Sequence, residues 1–165
     1  MHSAEYWINH LHLNAHPEGG FYKETYRSKD FIPGTIGPGN AEGTRNISTA
    51  IYFLLRSGDR SAFHKIKSDE LWHFHAGSSL VIYALNDIAG LTAHRLGLDL
   101  EKGDQPQVVI PADTWFGAML EEENSFSLAS CTVAPGFDFR DFEMAEKQKL
   151  SQEFPLYKNI IHLLT

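Results

Sequence analysis

The sequence predicts an all-β sandwich or barrel carrying a short helix at each end. Three observations point there. From Ile47 onward about eight short runs follow one another, each bounded by Gly, Asp or Asn turn residues, and antiparallel sheets built from such runs must close or cover their edges. Both ends of the chain carry apolar residues at helical spacing instead. The chain has 165 residues, 42% of them apolar, which at this size is one domain with a core large enough to need no disulfide or structural metal.

The elements follow in order. Ser3 can cap a helix in which Ala4, Trp7, Ile8 and Leu11 form one apolar stripe, ended by Asn14 and Pro17. After the turn Pro17-Glu18-Gly19-Gly20 the period becomes two. Phe21, Lys23, Thr25 and Arg27 share one face of a first strand, and Tyr22, Glu24 and Tyr26 share the other. Residues 28–46 hold Pro33, Pro38 and four glycines, a composition that breaks helix and strand and reads as a mobile loop at a pocket mouth. The strands expected next are Ile47 to Leu55, 61–66, Glu70 to His75, Leu80 to Leu85, Leu91 to Leu96, Gln107 to Ile110, Trp115 to Leu120 and Phe126 to Val133. Beyond Pro135-Gly136, the spacing of Leu156, Ile160, Ile161 and Leu164 predicts a helix over one end of the barrel. No linker or repeat divides residues 1–165.

Charge and cysteine usage exclude several classes. Twenty-one acidic against 14 basic residues leave a net charge of −7 with no Lys/Arg cluster, which repels phosphate backbones and argues against nucleic-acid binding. No apolar run approaches the ~20 residues of a membrane span, and the single cysteine, Cys131, forms no internal bridge. A cytoplasmic location is the expectation.

One spacing names a family. Gly58, His64, Glu70 and Gly77 resemble the first cupin motif, Gly-x5-His-x-His-x3-Glu-x6-Gly, with Ile66 in place of the second histidine. Pro111 to Phe116 resembles the second motif, with Asp113 for its glycine and Phe116 for its histidine. Longer blocks, His16-Pro17-Glu18-Gly19-Gly20, Ser48 to Leu55, Ser68 to Gly77 and Val133 to Asp138, are similar to the fifth cupin family, long catalogued as a domain of unknown function within the RmlC-like cupin superfamily. The resemblance implies a double-stranded β-helix, the cupin jelly roll, usually homodimeric and similar in shape to dTDP-sugar epimerases. It implies no particular reaction, because sites are grafted onto folds.

The candidate residues divide by chemistry. A cupin metal site normally offers three histidines and a glutamate, and here Ile66 and Phe116 leave only His64 and Glu70, too few for a transition metal. No metal or other cofactor is therefore expected. His73 and His75 fall on the strand face opposite Glu70 unless a β-bulge intervenes between 70 and 73; they read either as pocket-lining ligand residues or as polar residues at a sheet contact. His64 beside Glu70 makes a general base, as in the epimerases, or a buried pair that only binds. Tyr26 and Tyr52 are candidates for the acid, and Arg27 and Arg45 for holding a ligand phosphate or carboxylate. Trp115 offers a ring on which a sugar could stack, though core packing explains it equally. Glu18-Gly19-Gly20 reads as a structural turn. The expected function is a metal-independent cupin binding a small polar metabolite, sugar or nucleotide-sugar-like, with isomerase or epimerase chemistry. A non-catalytic binding module and a metal-dependent dioxygenase with irregular ligands are the alternatives.

Overall fold

In the computed structural model, which describes residues 2–37, 39–40 and 42–165, the chain runs as follows: α1 (Ala4–Leu11), β1 (Asn14–Ala15), β2 (Phe21–Arg27), β3 (Phe31–Pro33), β4 (Thr44–Asn46), β5 (Thr49–Arg56), β6 (Arg60–Lys65), β7 (Asp69–Gly77), β8 (Leu80–Asn86), β9 (Gly90–Leu96), β10 (Gln107–Ile110), β11 (Trp115–Leu120), β12 (Phe126–Ala134), β13 (Glu143–Met144), α2 (Lys147–Glu153) and α3 (Lys158–Leu163). Two antiparallel sheets face each other. One has the strand order β1-β2-β5-β12-β7-β10 and the other β13-β6-β11-β8-β9. This is the double-stranded β-helix of the cupins, with short helices at both ends.

Strand alternation sorts three apolar clusters. Residues that point inward, among them Phe53, Leu55, Trp72, Ile82, Phe116 and Cys131, pack between the sheets. Outward residues need cover of their own. Leu54, Phe126 and Leu128, behind the six-stranded sheet, are covered by Ala4, Trp7, Ile8 and Leu11 of α1, whose first turn is capped by the Ser3 hydroxyl accepting from the Tyr6 amide. Phe63, Leu85 and Trp115, behind the five-stranded sheet, are covered by Leu150, Phe154, Ile161 and Leu164.

That last cluster departs from expectation in two ways. The C-terminal helices lie over a sheet face rather than the barrel end, and Leu156 is exposed. Pro155 follows the last residues of α2, and a proline cannot donate into the preceding turn, so α3 begins in a new phase and different residues face the sheet. Residues 28–46 also differ from a bare loop. Phe31–Pro33 and Thr44–Asn46 pair as a small hairpin, tied to the barrel where the Ile47 amide donates to the Asp30 carbonyl and the Ser28 amide to the Ser48 carbonyl. Among the described residues, none between 28 and 46 lines the cavity described below. Pro38, part of the loop reading, lies outside the described residues. Among the described residues no helix is long and apolar enough to cross a membrane.

Candidate functional site

A cavity of about 130 Å³ opens between the sheets, walled by His16, Glu18, Tyr22, Glu24, Arg27, His64, Ile66, Glu70 and Cys131 and at its mouth by Phe137, Phe139 and Phe142. β7 supplies Glu70, which opposes Val133, while Trp72 opposes Cys131; all four point inward. β6 supplies His64, opposite Phe116. The third contributor is the turn before β2. Gly19 has φ 112° and Gly20 φ 73°, a region natural only for glycine, and a Cβ on Gly19 would overlap the Arg60 carbonyl. The bare turn can therefore lie against β6, where the Ala62 amide donates to the Glu18 carbonyl at 2.9 Å. This brings the Glu18 side chain to the Ser61 hydroxyl, which donates to Oε1 at 2.8 Å, and to His64, whose Nε2 lies 3.0 Å from Oε2.

The hydrogen bonds fix where protons sit. His64 Nδ1 lies 2.8 Å from the Ala62 carbonyl, an acceptor only, so Nδ1 carries hydrogen. A neutral Nε2 and a carboxylate oxygen would both be acceptors, so one proton lies between His64 and Glu18. Burial places it. Desolvation pushes the Glu18 carboxyl up to about 8 against the opposing effect of the Ser61 hydroxyl, and burial pushes His64 down despite Glu70 and the Ala62 carbonyl. At neutral pH the proton rests on Glu18 and the imidazole is neutral.

Glu70 is different. It is 7% exposed, and burial raises its carboxyl to about 7, with His64 opposing and Glu18 adding to the rise. Its neighbour is the Cys131 thiol, pushed well above the usual range by burial and by Glu70. His16 is held near 4 by burial and by His64 and is neutral. Its Nδ1 accepts from the Glu18 amide at 3.2 Å, leaving Nε2–H as a donor on the cavity wall.

Of the residues singled out from sequence, the structure brings His64, Glu70 and Arg27 to this cavity. The others lie elsewhere. A bulge between Glu24 and Tyr26, where Glu24 opposes Ile51 and Tyr26 opposes Ala50, reverses the strand faces. Tyr26 turns outward, 55% exposed, and Arg27 turns in. Tyr52 packs in the outer cluster beneath α1. Arg45 is buried in a bidentate pair with Asp141, its Nε 2.6 Å from Oδ2, and cannot reach a ligand. His73 points outward, as regular alternation from Glu70 dictates, and contacts Gln107; His75, the extra residue of a bulge, contacts the Ser130 hydroxyl on the outer face. The bulge in β7 falls opposite Leu128/Ala129, beyond His73. Trp115 lies in the outer cluster beneath the C-terminal helices, with the Lys65 ammonium 4.4 Å from its ring centre.

Arg27 faces the cavity without a free charge. Nε and Nη2 donate to the two Glu24 carboxylate oxygens at 3.0 and 2.6 Å, and Nη1 donates to Asn46 Oδ1 and to the Phe137 carbonyl. Sequence reasoning missed His16, Glu18 and the phenylalanine wall. The inward pairing of Tyr22 with Glu24 was legible from alternation alone.

A cupin metal set does not fit these residues. The Phe116 ring centre is 4.1 Å from that of His64, Ile66 walls the cavity, and both His64 nitrogens are engaged within the protein. Among the described residues no group of three or more His, Cys, Asp and Glu side chains is placed to hold a metal ion.

Comparison with known proteins agrees with the fold. The family described as Cupin superfamily (DUF985) matches residues 5–145. The uncharacterized protein YML079W of Saccharomyces cerevisiae is 34% identical over 148 residues, 84% of this chain and 73% of that protein. A hypothetical protein from Leishmania major superposes with a TM-score of 0.91 at 31% identity, covering 99% of both chains. The protein SO0799 from Shewanella oneidensis gives 0.88 at 39% identity over 100% of this chain and 98% of its own.

Proposed function

The chain belongs to the Cupin superfamily (DUF985) family, and we propose that it binds a small polar metabolite in the barrel cavity and moves a proton on it, as an isomerase or epimerase acting beside a carbonyl. One observation carries this reading. Two carboxyls with values raised to about 8 and about 7 flank a neutral imidazole in one cavity, and groups poised near neutral pH in a cleft are the mark of acid–base chemistry.

The roles differ from a lone histidine base. Glu70, near half ionised at neutral pH and, among the described residues, without a hydrogen-bonding nitrogen or oxygen partner, is the base that takes the proton from carbon. The electron pair moves onto the carbonyl oxygen, where His16 Nε2–H and the Tyr22 phenol are the available donors. The proton returns to carbon from Glu70, while protonated Glu18 stays bonded to His64. The cavity of about 130 Å³ is close to the ~150 Å³ that accommodates benzene, so about six heavy atoms sit inside. With Arg27 saturated, a molecule of triose size suits the site better than a hexose or a nucleotide-sugar.

Proton wash-in tests this. Incubating the protein in deuterated water with small aldoses, ketoses and their amino derivatives is expected to exchange one carbon-bound hydrogen, read by NMR. Glu70→Gln is expected to slow that exchange by about 10²–10⁴-fold. A passive binding module is the second reading, supported by the engagement of both His64 nitrogens; bound sugar with no wash-in would favour it.

A further inference from the structure

The charge balance of the cavity names a ligand class. Three glutamates, 18, 24 and 70, and one guanidinium line it; Glu24 and Arg27 are paired with each other, Glu18 holds its proton, and Glu70 is left as the cavity's unpaired carboxyl. Both histidines on the wall are neutral. An anion entering here meets carboxyls and, among the described residues, no free cation. Glu70 is a second and independent sign: it is 93% buried by the 7% exposure given above, borders the cavity, and among the described residues has no nitrogen or oxygen donor, with the weak Cys131 thiol beside it.

The mouth adds an aromatic wall. Phe137 and Phe139 stand 5.0 Å apart at 80°, and Phe139 and Phe142 6.1 Å apart at 75°. The segment bearing them is pinned at several points: the Phe137 amide donates to the Thr49 hydroxyl, Arg27 donates to the Phe137 carbonyl, and Asp141 pairs with Arg45. Phe139 is nonetheless 59% exposed, so core packing does not account for it. Ring faces attract cations through their quadrupole, and several rings in fixed orientation beside a carboxyl are the arrangement that recognises ammonium groups.

We propose that the cavity selects a small organic ammonium ion, with Phe137, Phe139 and Phe142 receiving its alkyl surface and Glu70 its charge. The proposal rests on the proton-transfer reading of the same site and narrows its substrate to aminated compounds, the ammonium supplying the missing counter-charge.

Three probes of like size and different charge test it: tetramethylammonium, tert-butanol and pivalate, titrated into the purified protein and followed by NMR shifts of the cavity residues. Tetramethylammonium is expected to bind at least tenfold more tightly than tert-butanol, with pivalate weakest. Glu70→Gln should erase most of that preference, and Phe139→Leu should weaken the cation by about threefold or more while leaving tert-butanol unchanged. The wild-type ranking needs no variant to fold. Equal or tighter binding of tert-butanol or pivalate, or no binding of any probe at tens of millimolar, overturns the ammonium assignment. In that event wash-in of deuterium into neutral sugars would still uphold proton transfer, whereas cation preference without wash-in into any amino compound would keep the ligand class and remove the turnover.

Discussion

Replacing Glu18 by glutamine tests whether the carboxyl holds the proton it shares with His64. The amide is a near copy of the protonated acid. Its oxygen can accept from the Ser61 hydroxyl, 2.8 Å from Oε1, and its nitrogen can donate to His64 Nε2, 3.0 Å from Oε2. The wild-type carboxyl ionises near 8 when folded against an ordinary 4.5. Between those values the native chain holds one proton more than the unfolded chain, so this group's contribution falls as pH rises. Glutamine cannot ionise and lacks that loss. The difference between variant and wild type reports Glu18 together with its coupling to Glu70, whose carboxyl Glu18 helps to raise.

At about 1.4 kcal/mol per pH unit, the variant is expected to gain about 3 kcal/mol on the wild type between about pH 5 and pH 8. For a domain of this size that is about 6–12 °C in melting temperature. Near pH 5 the two should lie within about 1 kcal/mol, because each hydrogen bond has a counterpart. Urea denaturation at several pH values reads the gap directly. A gap that stays constant with pH, or a wild type that gains on the variant as pH rises, would mean that Glu18 is an ionised partner of a charged imidazole, and the assigned proton position would be wrong.

Three other outcomes are expected. Arg45→Ala leaves the Asp141 carboxylate, whose side chain is 9% exposed, without its partner, and should cost about 3–5 kcal/mol in chemical denaturation; a loss under 1 kcal/mol would show the pair is not structural. Gly19→Ala places a side chain where φ is 112° and the Arg60 carbonyl intrudes, so the turn must move; the variant should lose more than about 1 kcal/mol together with the pH dependence traced to Glu18. A homodimer is expected in solution, and light scattering at micromolar concentration should give about twice 18.6 kDa, with a monomer mass independent of concentration refuting it.

The barrel strands and the N-terminal helix were legible because their signals are local. The alternating Thr49, Ile51, Phe53 and Leu55 and the turn-bounded apolar run Leu80 to Leu85 are written in neighbouring residues, and so is the stripe of Ala4, Trp7, Ile8 and Leu11. The outward direction of His73 also follows from counting along β7, a strand regular from Glu70 to that point. His64 and Glu70 share the cavity because the motif spacing sets two inward positions on successive strands.

Other features depend on which distant segment meets which. A single extra residue between Glu24 and Tyr26 exchanges the faces of Tyr26 and Arg27, and no feature of those residues alone announces it. Arg45 looks like a ligand clamp until Asp141, 96 positions away, claims both sides of its guanidinium. Glu18 reads as part of a turn until that turn is laid against β6, with Ser61 43 positions on and His64 just beyond. Periodicity records which way a side chain points from its own strand, whereas the partner that buries a charge and shifts its proton comes from long-range packing. Local patterning sets the strands of this chain and the inward positions of His64 and Glu70, whereas long-range packing of the turn against β6 brings the Glu18 carboxyl beside them.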